Sequence, residues 1–213
     1  MTEVEMWSNE ARGERVCQAL VKNGFDAVYA KTKEEAAELV MKFVKPGMKV
    51  GFGGSMTVKS MGIQDKALAA GAVLLDHNRP GITPEERLST LRSQLTCDLF
   101  VSSVNAVTRD GYIVNVDANG NRVGALCFGP SKVVAVAGAN KIVADLEDAF
   151  TRLEEVAGPM NNKRLGRPNP CTKSGYCMDC DGPMRSCRIY QILKRKPALT
   201  DFTVIIVGES LGY

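Results

Sequence analysis

Two runs of residues limit the fold more than anything else in the chain. After their first residues, Lys132–Ala137 (KVVAVA) and Thr203–Val207 (TVIIV) are apolar at consecutive positions and rich in β-branched side chains. A strand alternates its side chains between two faces, so an unbroken apolar run must be covered on both. Strands of this kind belong to parallel sheets sandwiched by helices. Shorter runs of the same character occur at Asp26–Ala30, Lys49–Gly53, Val73–Asp76 and Leu99–Ser102.

Helical segments separate these runs. Residues 3–22 place Val4, Trp7, Ala11, Val16, Ala19 and Leu20 roughly in phase. Thr32-Lys33-Glu34-Glu35 is a capping box that opens a helix to about Val44. Another helix follows the glycine-rich turn after Lys49–Gly53 and runs to about Ala70. Thr83-Pro84-Glu85-Glu86 starts one that reaches about Leu95. The alternation predicts the α/β class: a largely parallel open sheet with helices on both faces.

The middle of the chain departs from this pattern. Arg109-Asp110-Gly111-Tyr112 and Ala118-Asn119-Gly120-Asn121 are turn signals. They predict a hairpin excursion with strands at Tyr112–Asp117 and Val123–Phe128. Ile142, Val143, Leu146, Ala149, Phe150, Leu153 and Val156 repeat at helical spacing. From Gly158 to Pro183 there is no periodicity, only Pro, Gly, Asn and Cys in excess. A loop this long is functional or held by something other than packing. Ser186–Lys194 reads as a short helix. The buried run at Thr203–Val207 then returns to the sheet. The cysteine-rich segment, 158–187, is thereby expected to be an insertion within one domain spanning 1–213.

Net charge is only +3, too small to suggest a nucleic-acid partner. The charge is uneven, however: residues 152–196 carry 10 basic and 4 acidic side chains. No apolar run approaches the roughly 18–20 residues that span a bilayer. The first residues are charged, with no signal-peptide core. A cytoplasmic protein is expected, with its seven cysteines reduced.

Three motifs suggest a ligand site. Gly51-Phe52-Gly53-Gly54-Ser55-Met56-Thr57 lies between a strand and a helix. Glycines let the backbone approach a ligand, and a helix start offers unpaired N–H groups. Gly53, Gly54, Ser55 and Thr57 thus form a candidate site for an anionic small molecule, against the alternative of a bare tight turn. The motif is neither a Walker A loop nor GxGxxG, and the chain carries no nicotinamide or flavin fingerprint. The second group is Asn105, Asn115, Asp117, Asn121 and Arg122. Turn chemistry alone explains much of it, but grouped at strand ends these side chains suit a polar ligand. The third is Asn140-Lys141, after the run ending in Gly138. Lys141 could face an anion, although solvent is the usual place for a lysine. The one histidine, His77, reads as a loop residue, and it excludes any multi-histidine metal site.

Cys171, Cys177, Cys180 and Cys187 fall within 17 residues as C-x5-C-x2-C-x6-C. Four soft thiolates in a Gly/Pro-rich segment suit a metal, either zinc or a [4Fe–4S] cluster. The central C-x2-C is common to both. The spacing differs from the C-x2-C-x2-C ferredoxin run, and free thiols or a disulfide remain alternatives.

Taken together, GFGGSMT, the block from SVNAVTRDGYIVNVDANGNRVGALCFGPSKVVAVAGANKIV to TRL, the cysteine pattern and the closing VIIVGESLGY resemble the LUD-domain family. The family is named after lactate-utilisation proteins, lactate utilisation protein C among them. The resemblance implies a fold similar to ribose-phosphate isomerases, glucosamine-phosphate deaminases and CoA transferases. It implies an anion-handling role for Gly53, Gly54, Ser55 and Thr57, and a pocket shared with the Asn105–Arg122 block and Asn140-Lys141. It supplies no catalytic residue. It also implies a part in oxidising lactate or a related organic acid beside iron–sulfur redox partners. The four-cysteine segment is a departure from many members. Two other readings stay open. One is a stand-alone enzyme acting on a sugar phosphate or CoA ester, with Glu209 as its base. The other is a non-catalytic regulatory or scaffold protein that docks through the cysteine segment.

Overall fold

The computed structural model describes residues 1–213. Its main sheet has six strands: β1 (Asp26–Ala30), β2 (Lys49–Phe52), β3 (Val73–Leu75), β4 (Leu99–Ser103), β7 (Lys132–Gly138) and β10 (Asp201–Val207). They lie in the order β1-β10-β7-β4-β2-β3, and every pair is parallel. The apolar runs occupy the middle, as double-sided burial requires. Phe202, Val204 and Ile206 of β10 face one core, with Val133, Ala135 and Ala137 of β7. Ile205, Val207, Val134 and Val136 face the other.

Helices cover both faces. α1 (Glu3–Lys22) packs Val16, Cys17 and Leu20 on the first core. α2 (Lys33–Met41), α3 (Met56–Ser60) and α4 (Ile63–Ala69) pack Ala36, Val40, Val58, Ile63 and Ala67 on the second. α5 (Pro84–Ser93) begins at the expected Thr83, which accepts from the Glu86 N–H in a capping box. The inward face of α1 differs from expectation, because Val4 and Trp7 are exposed and only its second half meets the sheet.

The hairpin excursion forms a second sheet. β5 (Ala106–Thr108), β6 (Ile113–Asp117), β8 (Ile142–Val143) and β9 (Ile189–Leu193) lie in the order β8-β5-β6-β9. Val107 and Ile113 point into the first core, while Ala106 and Val114 meet Ala149 and Leu153 on the outer side.

Four local expectations are corrected here. Val123–Phe128 is no strand but part of helix α6 (Asn121–Cys127). Gly120, at φ +84°, turns the chain left-handed, and Asp117 Oδ2 accepts from the Val123 N–H to hold the helix start. Ser186–Lys194 holds no helix. Its IYQIL core is the strand β9, antiparallel to β6, whose open edge recruits β-branched residues. The helix expected from Ile142 begins later, because β5 recruits Ile142 and Val143 as β8. Asp145 then caps α7 (Leu146–Arg152) by accepting from the Asp148 N–H. Finally, the segment after Gly158 is not structureless. α7 continues through a π-helical turn, Leu153–Ala157, into α8 (Gly158–Arg164), and α9 (Cys171–Ser174) follows.

Candidate functional site

β2 and β4 are neighbours, yet the chain leaves them in opposite directions. After β2 it crosses outward to β3 over α3 and α4; after β4 it proceeds toward β7 past α6 on the other face. Divergent loops leave a crevice at the strand carboxyl ends, the usual ligand position in open α/β sheets. A cleft of about 220 Å³ lies there.

Lys141 is its least expected feature. Its Nζ is 3.0 Å from Thr57 Oγ1 and 2.8 Å from Ser103 Oγ, and the residue is 3% exposed. Both hydroxyls accept from the amine, since Thr57 donates to Leu211 O and Ser103 to Val104 O. No carboxylate pairs with it. Burial, then the charges of Arg152 and Arg122, lowers its pKa to about 7. Arg152 is itself buried, and its Nε has no hydrogen-bond partner.

The surrounding charge is one-sided. Arg87, Arg122, Lys141, Arg164 and Arg167 line the cleft against one acidic side chain, Asp117. Tyr213 also lines it, and its buried hydroxyl has no partner. The glycine turn contributes backbone. The N–H groups of Gly54 and Met56 find no acceptor in the chain. α3 has only five residues, so these N–H groups rather than a helix dipole are what the turn offers. Ser55 caps α3 by accepting from the Val58 N–H. A Cβ on Gly54 would make only an ordinary contact, with His77 Nε2 at 3.9 Å.

Gly54, Ser55, Thr57, Asn105, Asp117, Asn121, Arg122 and Lys141 all line this cleft. Gly53 does not. It is buried against Ser102, where its lack of a side chain permits the packing. Asn140 lies outside too, clamping the last residues through Gly212 O and the Leu211 N–H. Arg122 is committed to structure. It donates to Ser103 O, Asn115 Oδ1, Asn105 Oδ1 and Val116 O, tying β4 to β6. Glu209 accepts from the Lys33 N–H and does not line the cleft, so no base stands over it from that residue.

His77 is on a loop, as expected, but it is buried and faces the cleft. Gln94 Nε2 lies 3.0 Å from its Nδ1, and burial and then Arg87 lower its pKa. It stands just past the carboxyl end of β3, where side chains of an open parallel sheet reach the ligand crevice. Arg164 and Arg167 were also missed, though the basic excess of residues 152–196 pointed to them.

The cysteines lie beside the cleft, with Cys187 on its wall. Burial, then the thiols of Cys177 and Cys171, pushes the Cys187 pKa up to about 11. No three potential ligands stand in a metal-binding group. No helix is long and apolar enough to cross a membrane.

Comparison with known proteins agrees with this architecture. The structure is similar to that of a DUF162 family protein from Deinococcus radiodurans, at 12% identity and a TM-score of 0.53, over 93% of this chain and 98% of that one. Weaker likenesses are to eIF2B beta from Chaetomium thermophilum (11% identity, TM-score 0.34, 53% of this chain and 43% of that one). Ribose 5-phosphate isomerase from Plasmodium falciparum is similar at 14% identity and a TM-score of 0.33, over 53% and 52%. No curated protein sequence matches. The family model described as LUD domain matches residues 13–207. With that match over most of the chain, and a DUF162 fold over nearly all of it, the chain belongs to the LUD-domain family.

Proposed function

We propose that the cleft binds a small organic anion, and that the chain serves the oxidation of lactate or a related organic acid beside iron–sulfur redox partners. The observation that carries the anion is Lys141, a buried amine among cations with no acidic side chain paired to it. A bound carboxylate or phosphate would supply that charge. The free N–H groups of Gly54 and Met56 and the Tyr213 hydroxyl would complete its hydrogen bonds. The organic-acid role rests on family membership. Titration calorimetry with lactate, pyruvate, phosphate and a sugar phosphate tests the reading. Saturable binding of one of these, lost in Gly54→Val, supports it. Absence of binding by all four refutes it.

A second reading, a stand-alone enzyme acting on a sugar phosphate, is favoured by the same lysine. An amine near neutrality is a competent nucleophile toward a carbonyl. Borohydride trapping of a carbonyl ligand on Lys141, with turnover by the purified chain, would select this reading over the first.

A further inference from the structure

We propose that Cys171, Cys177, Cys180 and Cys187 form a four-thiolate metal site seated against the α7–α8 helix at the wall of the cleft. The helix explains the gathering. In the π-helical turn the Gly158 N–H bonds to Leu153 O. The next donor would be Pro159, which has no N–H, so Glu154 O is left open. The Cys177 N–H takes it, at 2.8 Å. One turn on is Gly158, and a Cβ there would lie 3.3 Å from Cys187 Sγ, so the glycine admits the thiol. One further turn on is Asn162, whose Nδ2 donates to Cys171 Sγ at 3.4 Å. Residues 154, 158 and 162 share a helix face. Three of the four cysteines are therefore docked in a row along it. Arg185 brings the fourth, donating from one guanidinium to both Cys180 O and Cys187 O.

The C-x2-C turn is itself shaped for a thiolate. Asp179 is the chain's one non-glycine residue with positive φ, at +43°. That strained conformation aims its N–H at Cys177 Sγ, 3.4 Å away. Sulfur is a weak acceptor as a thiol and a far better one as a thiolate. Two N–H donors already point at sulfurs, and a guanidinium stands beside them. The four thiols do not yet converge. Cys177, Cys180 and Cys187 lie in irregular, partly exposed chain, and ligation requires this segment to rearrange until the four sulfurs converge. Each thiol gives up its proton as the metal binds.

The test is anaerobic purification of the full chain, with metal analysis and a visible spectrum. About one zinc per chain without colour, or about four iron with a broad visible band, each supports the site and tells the two centres apart. Cys177→Ser should lose at least nine-tenths of the metal, while Cys127→Ser, at an exposed thiol outside the cluster, keeps it. If Cys177→Ser does not fold, the wild-type chain gives a second readout. Four of its thiols should resist a thiol reagent until a chelator is added. Wild-type chain free of both metals, which takes up neither on anaerobic reconstitution and whose four thiols react without chelator, overturns the proposal. Neither readout involves the anion, so the two proposals fail separately.

Discussion

Replacing Lys141 with methionine removes a buried amine and keeps most of its volume. The amine sits at about 7, against 10.5 for an exposed lysine. That gap corresponds to about 5 kcal/mol for burying the ammonium form. Between these two values the unfolded chain holds a proton that the folded chain does not, so stability rises with pH. Below about 7 both states are protonated, and the full penalty applies. From about pH 6 to about pH 9 the wild-type chain should therefore gain about 3 kcal/mol from this group. The variant loses the hydrogen bonds accepted by Thr57 and Ser103. Both hydroxyls keep their own acceptors, so this costs about 1 kcal/mol at any pH. Lys141→Met should be more stable than wild type by about 4 kcal/mol near pH 6, and by only about 1 kcal/mol near pH 9. Urea unfolding of both chains at both pH values measures it, and the other titrating groups cancel in the difference. Parallel pH dependence in the two chains would refute the claim that burial holds this amine near neutrality.

Anion binding should be accompanied by proton uptake near pH 8, because a bound negative charge raises the Lys141 pKa; calorimetry in buffers of different ionisation enthalpy reads it. Gly54→Val should fold normally, since a Cβ there makes only an ordinary contact with His77, and should weaken anion affinity at least tenfold. Arg122→Ala should lower unfolding stability by about 3 kcal/mol, because it strands buried acceptors on β4 and β6. The purified chain alone should not reduce a dye with lactate as donor; robust reduction would remove the need for redox partners.

The six-stranded core and most of its helices were legible in the sequence because their signals are local. An apolar run such as TVIIV declares burial on both faces by itself, and Thr83-Pro84-Glu85-Glu86 holds a complete helix start within four residues. The glycine turn and Lys141 were each visible as candidates, and it was the family resemblance that implied one pocket for both. What the tertiary structure decided is everything that depends on a distant partner. Short apolar stretches fit a helix or a strand equally well. RVGALC became helical because Asp117 binds the helix start, and IYQIL became a strand because β6 had an open edge. The same holds for charge. Nothing in the order of residues says that Lys141 is enclosed by Thr57 and Ser103, from 84 and 38 residues away. That enclosure, which removes water and supplies no carboxylate, turns an ordinary lysine into one poised near neutrality.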